Sequence, residues 1–244
     1  SNILFWSRAI ANERKFNVQI NEADASPLAV QGPKAVDVIS SIFGDWVKEI
    51  KYHWFEEATI DGIPILIARS GWSKQGGYEL YLLDRNKGKH LWKIVREAGK
   101  VWDIGPGYPN VSERIESGLL SWGGDTDDST NPFEVRLGKY LDLDLDDDVI
   151  GIKELRRIKQ EGPKRHQLGI ILDNEQKSES HGLWYDILSG KNKVGDMTCG
   201  VWSKRLKKNI GFALISVDCS VGEEVKVLKS DKTINAQLVN LPFI

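Results

Sequence analysis

The sequence predicts an α+β protein that closes in a small β-barrel. Three observations carry that reading. Several short segments alternate apolar and polar residues with period two, the mark of half-buried strands. Between them lie stretches with apolar residues at helical spacing. After Pro163, short strands recur between glycine-bearing turns, as in a small all-β barrel or sandwich.

The elements follow in order. Leu4 to Asn12 reads as the end of an amphipathic helix, and Asn17-Val18-Gln19-Ile20 alternates as a short strand. Ala29-Val30-Gln31-Gly32-Pro33 is a strand running into a turn, and Pro33 stands where a helix can start. Ala35, Val36, Val38, Ile39, Ile42 and Phe43 supply that helix's apolar stripe, and Gly44-Asp45 stops it. Phe55 to Ile60 and Pro64 to Ser70 are strands flanking Asp61-Gly62, a hairpin signal. Tyr78 to Leu82 alternates as a further strand, and Asn86 to Ala98 and Val111 to Leu120 read as helices. The order β-α-β-β-β-α points to helices packed on an antiparallel sheet. Later strands are expected at Leu168 to Leu172, Lys193 to Thr198, Ile210 to Ile215, Glu224 to Leu228 and Ile234 to Val239. Glu161-Gly162-Pro163 serves as the linker, so the expected domains are 1–162 and 163–244.

The 244 residues can bury a sizeable core. Nine Trp, six Tyr and seven Phe exclude a chain that is disordered as a whole. No apolar run approaches the roughly 20 residues of a membrane helix. A formal net charge of -2 argues against a dedicated nucleic-acid binder. Cys199 and Cys219 are too far apart for a metal-spaced pair, and two reduced thiols in a cytoplasmic protein are expected. The chain opens without Met and without a basic leader, directly on apolar residues at helical spacing. The expectation is a chain that begins inside a longer protein.

Gly71-Trp72-Ser73-Lys74-Gln75-Gly76-Gly77-Tyr78-Glu79 is the most informative segment. Its glycines let a backbone approach a ligand closely, and lying between strands it is no phosphate cradle opening a helix. Trp72 offers a flat face and Glu79 a fixed carboxylate, a pairing suited to a flat, nitrogen-rich heterocycle. The alternative is a hairpin loop with an exposed Trp and a solvated Glu, which pattern alone favours. Asp142, Asp144, Asp146, Asp147 and Asp148 lack calcium-loop spacing and read as a solvated turn capping the helix from Ile152. Asp125, Asp127 and Asp128 receive the same reading, with a loop near a pocket as the alternative. His53, His90, His166 and His181 are scattered without metal-ligand spacing. His53 lies in Tyr52-His53-Trp54-Phe55, where core packing is the ordinary explanation. Lys204, Arg205, Lys207 and Lys208 read as a solvated basic face.

Several boxes together resemble the glycine-cleavage T-protein (aminomethyltransferase) family. Ala29 to Pro33 is similar to its V-Q-G-P box, and Gly71 to Glu79 stands where its G-Y-T-G-E-x-G-[YF]-E loop would be. Arg114-Ile115-Glu116-Ser117-Gly118 resembles its R-L-E-A-G helix. Gly123 to Asp127 with Asn131-Pro132-Phe133, then Asp148 to Gly151 and Leu241-Pro242-Phe243, follow in family order. Trp72-Ser73 and the opening segment Ser1 to Ala11 resemble the branch of tetrahydrofolate-dependent dimethylsulfoniopropionate demethylases. The family's substrate-side arginine falls on Asn110.

The resemblance implies a folate-binding aminomethyltransferase-like fold, incomplete at its N-terminus, followed by the C-terminal barrel. It implies transfer of a methyl group from a small sulfonium substrate to N5 of tetrahydrofolate as co-substrate. Glu79 would bind the pterin, Trp72 and His53 would line the ring, and Tyr81 and Ser73 would neighbour it. The family's active-site aspartate would lie upstream of residue 1, and no metal is implied. No nucleic-acid or membrane partner is expected, and a homodimer is a candidate assembly. The alternatives are an aminomethyltransferase and a folate-binding accessory protein without catalysis. The accessory relatives carry a cysteine in this loop, and this sequence has none there.

Overall fold

The computed structural model describes residues 2–71, 75–146, 148–174, 184–230 and 232–244. Two units form by internal contact, Ser1–Gly107 and Tyr108–Ile244. The expected division at 162/163 falls inside the second of these, between a helix ending at Glu161 and a strand beginning at Arg165. We retain it as a proposed domain boundary.

The first unit opens with α1 (Asn2–Glu13), whose Ile3, Phe5 and Trp6 are exposed. The strand expected over residues 17–20 does not form. Its alternation is real, but Val18 is exposed and the segment joins no sheet, so nothing pays for its extended backbone. Instead Arg8 Nε donates to the Ile20 carbonyl at 2.7 Å.

An antiparallel sheet follows, built from β1 (Ser26–Gln31), β2 (Phe55–Ile60), β3 (Ile63–Ala68) and β4 (Gly77–Leu82) in the order β1-β4-β3-β2. Asp61 and Gly62 both take positive φ, +48° and +74°, which makes the two-residue β2–β3 turn that Asp-Gly announces. One face carries Val30, Ile63, Ile65, Ile67, Tyr78, Leu80 and Leu82 into the core. Helices α2 (Ala35–Phe43) and α3 (Gly88–Gly99) cover it with Ala35, Val38, Ile39, Leu91 and Val95. The α2 stripe read from the sequence is therefore the face that packs. Helix α2 starts at Ala35 rather than Pro33, because Gly32 takes φ +112° in the turn before it.

The second unit begins with α4 (Val111–Glu116). This helix is shorter than the expected 111–120, since Gly118 turns left-handed at φ +70°. Helix α5 (Ile152–Glu161) leads into β5 (Arg165–Leu172), β6 (Tyr185–Ser189), β7 (Asn192–Ser203), β8 (Lys208–Ser216), β9 (Glu224–Lys229) and β10 (Lys232–Val239). These six close a barrel in the order β10-β5-β8-β7-β6-β9. Ile170, Ile187, Met197, Ala213, Ile215, Val227 and Leu238 fill its interior. Strand β6 is absent from the sequence-based expectation, and β7 runs well beyond the expected Thr198. The protein is thus a mixed α+β chain ending in a closed six-stranded barrel. Among the described residues no helix is long and apolar enough to cross a membrane.

Candidate functional site

The period-two pattern of β4 sends Tyr78, Leu80 and Leu82 into the core, so Glu79 and Tyr81 must project from the other face of the sheet. Directly opposed residues on antiparallel strands share a face. The row through Glu79 therefore reads Ala29, Glu79, Ala68, Phe55, and the next reads Pro27, Tyr81, Leu66, Glu57. Glu79 stands between two alanines, in a dip bounded on one side by Phe55, which is 58% exposed.

Ser70 follows β3 and donates its hydroxyl to Glu79 Oε2. The Tyr81 hydroxyl approaches the same oxygen at 3.5 Å. Burial, and after it the charge and hydrogen bond of Glu79, push the Tyr81 hydroxyl pKa up, which keeps it a proton donor. Behind this group, Gln31 Nε2 donates to the Ser70 carbonyl at 3.2 Å and reaches the Tyr78 carbonyl at 3.5 Å. Gln31 Oε1 is buried without a hydrogen-bond partner among the described residues. The glycines flanking the loop owe their identity to this amide. A Cβ on Gly71 would lie 2.0 Å from Gln31 Oε1, and one on Gly77 2.3 Å from it.

The structure thus joins Glu79 and Tyr81 of the expected site residues through one carboxylate oxygen. Trp72 and Ser73 lie outside the described residues. His53 enters differently. Its backbone takes φ +65° and donates to the Arg69 carbonyl at 2.9 Å, while its ring tilts against Tyr52 at 4.1 Å between centroids. Core packing of this aromatic run, the ordinary expectation, is incorrect: Tyr52, Trp54 and Phe55 are all exposed. Ser70, Gln31 and Phe55 escaped the sequence reading. Strand phase would find Phe55 only together with the register, which puts it on the face of Glu79.

In the second unit the expectation for Asp125 also fails. It is 1% exposed rather than a solvated turn residue. Its Oδ2 receives Arg114 Nη1 at 2.5 Å and the Ser121 amide at 2.8 Å. Thr198 Oγ1 donates to Oδ1 at 3.4 Å. The neighbouring Cys199 thiol is pushed far above the ordinary range, chiefly by burial and then by the Asp125 carboxylate. Asn110 is the N-cap of α4, its Oδ1 accepting from the Glu113 amide at 2.8 Å.

Asp142, Asp144, Asp146 and Asp148 of the acidic run are exposed, and Arg156 ties the segment to α5 through the Leu143 and Leu145 carbonyls. The run does not cap α5 with a side chain, because Gly151 occupies the N-cap. Lys204, Arg205 and Lys207 lie on the exposed turn between β7 and β8, and Lys208 opens β8. A cleft of about 820 Å³ at the barrel, lined by Leu172, Trp202, Lys208, Asn209 and Lys226 among others, contains none of the expected site residues. Among the described residues no group of three or more His, Cys, Asp or Glu is arranged to hold a metal ion.

Comparison with known proteins gives a consistent pattern. Residues 3–145 match the GCVT N-terminal domain, and residues 165–244 match the glycine cleavage T-protein C-terminal barrel domain. The dimethylsulfoniopropionate demethylase DmdA of Ruegeria pomeroyi is 34% identical over 88% of this chain and 58% of its own length. An aminomethyltransferase of Bacillus mycoides is 30% identical over 97% of this chain and 64% of its own. The chain therefore spans about three fifths of the length of these relatives. The crystal structure of glycine cleavage system aminomethyltransferase T from Bartonella henselae superposes with a TM-score of 0.76 at 22% identity. That likeness covers 97% of this chain and 64% of that one, and it speaks to the fold.

Proposed function

Because the chain belongs to the glycine cleavage T-protein (GCVT) family, we propose that it holds tetrahydrofolate for a one-carbon transfer. We further propose that the group transferred is a methyl, passing from dimethylsulfoniopropionate to N5 of the folate in the cytoplasm. The products are methylmercaptopropionate and 5-methyltetrahydrofolate.

The Glu79 carboxylate carries this reading. It stands on the open sheet face between two alanines, with Ser70 and Tyr81 on one oxygen. A pterin edge presents N–H donors, and a fixed carboxylate acceptor fits them in type and charge. Tyr81 and Phe55 on the same face supply flat apolar surface beside it. Trp72 and His53 are proposed to line the ring and Ser73 to neighbour it.

The chemistry suits a site that works by alignment. The N5 lone pair attacks the methyl carbon, and the carbon–sulfur bond breaks with its electron pair left on sulfur. The sulfonium becomes a neutral thioether, and the proton on N5 passes to solvent. Aligning N5, carbon and sulfur can lower the barrier by up to roughly 7–11 kcal/mol, and aromatic faces attract a sulfonium by cation–π interaction. No step calls for a metal.

The sulfonium donor is favoured over an aminomethyl donor by the 34% identity to DmdA and by Asn110, which caps a helix where the resembled family places an arginine. The aminomethyl reading is kept as second because aminomethyltransferases match at 30% identity over nearly the whole chain.

Product analysis with the full-length protein decides between them. Methylmercaptopropionate with 5-methyltetrahydrofolate supports the proposal. Ammonia with methylenetetrahydrofolate supports the second reading, and folate binding without turnover supports an accessory role. Turnover is expected to survive chelation. Glu79→Gln should weaken folate binding with little change in Tm, and Trp72→Ala should raise the folate KM about tenfold.

A further inference from the structure

We infer that Ser70 is a positioning residue for Glu79, fixing which carboxylate oxygen meets the ligand; the inference rests on the folate reading above.

A glutamate on a strand has three side-chain torsions to freeze before its carboxylate points in one direction. The sheet removes little of that freedom here, because Ala29 and Ala68 on either side offer only methyl groups to lean on. Orientation must come from hydrogen bonds. Ser70 and Tyr81 both donate to Oε2. The two donors converge on Oε2, which leaves Oε1 the oxygen that neither of them occupies. A carboxylate fixed in this way loses less side-chain entropy when the ligand arrives, so more of the interaction appears as affinity.

Ser70 can do this only if its own main chain is fixed, and Gln31 provides that. Its amide nitrogen donates to the carbonyls of Ser70 and Tyr78, the residues next to the two loop-flanking glycines. The amide lies so close to Gly71 and Gly77 that a Cβ at either would collide with it. The backbone pairing of β3 with β4 sets their separation, and β1 reinforces it through one side chain. Ser70 converts that separation into a direction for the Glu79 carboxylate. Tyr81, at 3.5 Å, is the weaker of the two donors, so Ser70 is the residue whose loss frees the carboxylate.

The experiment is calorimetric titration of the full-length protein with tetrahydrofolate, for the unmodified protein, Ser70→Ala, Ser70→Thr, Glu79→Gln and the Ser70→Ala/Glu79→Gln pair. Ser70→Ala should weaken binding about tenfold, consistent with the usual worth of a charged hydrogen bond. Ser70→Thr, which keeps the hydroxyl, should stay within about threefold of the unmodified protein. In the Glu79→Gln background, Ser70→Ala should cost clearly less, because the neutral amide oxygen is a weaker acceptor for the hydroxyl than the carboxylate. Equal affinity in Ser70→Ala overturns the inference and leaves the folate reading standing. So does a loss of the same size in both backgrounds, which makes Ser70 a general support of the loop. Failure of the unmodified protein to bind tetrahydrofolate overturns the folate reading, and the inference falls with it.

Discussion

Arg114 places Nη1 2.5 Å from Asp125 Oδ2, and the two side chains are 8% and 0% exposed. Eleven residues separate them in sequence. The guanidinium also donates to the Leu119 carbonyl and lies over the Phe212 ring, so α4, the 119–125 loop and β8 meet at one charge.

Removing one partner of a buried pair strands the other. Asp125→Ala is therefore expected to cost about 3–5 kcal/mol of unfolding free energy. Asp127, exposed and bonded to Ser129 two residues on, is the control. Asp127→Ala should leave the urea midpoint essentially where it was. Equal midpoints for Asp125→Ala and the unmodified protein would refute the buried-pair account.

Cys199 gives a pH prediction. Its thiol pKa is raised in the fold, first by burial and then by Asp125. A raised folded value means that the folded state holds the proton more tightly. The stabilising contribution is then complete below the unfolded thiol value of about 8.5 and is lost as pH rises beyond it. Stability should fall by at most about 1.4 kcal/mol per pH unit from this group. The slope between pH 9 and 10 should flatten in Cys199→Ala. An unchanged slope in that variant would assign the alkaline loss elsewhere.

Three glycines separate steric effects. A Cβ on Gly211 would lie 2.2 Å from the Cys199 carbonyl oxygen, a main-chain atom inside the barrel sheet that has nowhere to go. Gly211→Ala should cost about 2–3 kcal/mol or more. For Gly77→Ala the three nearest atoms all belong to the Gln31 amide, the tip of a flexible side chain that can swing away and lose its hydrogen bonds, at about 1 kcal/mol. That cost should vanish in a Gln31→Ala background. Gly105→Ala, with nothing within 4 Å, should be silent within about 0.5 kcal/mol. Denaturant melts of the variants test all three, and a silent Gly211→Ala would contradict the barrel register.

Local rules made much of this fold readable. Asp61-Gly62 announced its turn, the α2 stripe announced its packed face, and the alternation of Tyr78 to Leu82 announced strand β4. What local rules cannot supply is a partner. Asn17 to Ile20 alternates like a strand, yet no neighbouring strand accepts it. Asp125 looks like any acidic turn residue until Arg114 is brought to it. Gly71 and Gly77 suggested room for a ligand, and the nearest occupant is Gln31, some forty residues earlier in the chain. Glu79 was singled out by its place after the glycine-rich loop and by the resemblance, and the strand register then puts it on the face away from the core. Ser70 was not, because its hydrogen bond to Glu79 depends on the path of the connection between β3 and β4.

The closure of the barrel sets an order of events during synthesis. Strand β10 lies between β9 and β5, so without it the other five are an open sheet with two unsatisfied edges. Strand β5 ends at Leu172 and β10 begins at Lys232, about 60 residues later. At roughly 5–20 residues per second, β5 waits about 3–12 s on the ribosome before its second neighbour exists. The four-stranded sheet of the first unit has every strand in hand once Leu82 has emerged. The nascent chain therefore carries the paired strands of the first unit while β5 still lacks β10. Chaperone dependence and aggregation should track barrel closure rather than the sheet that carries Glu79.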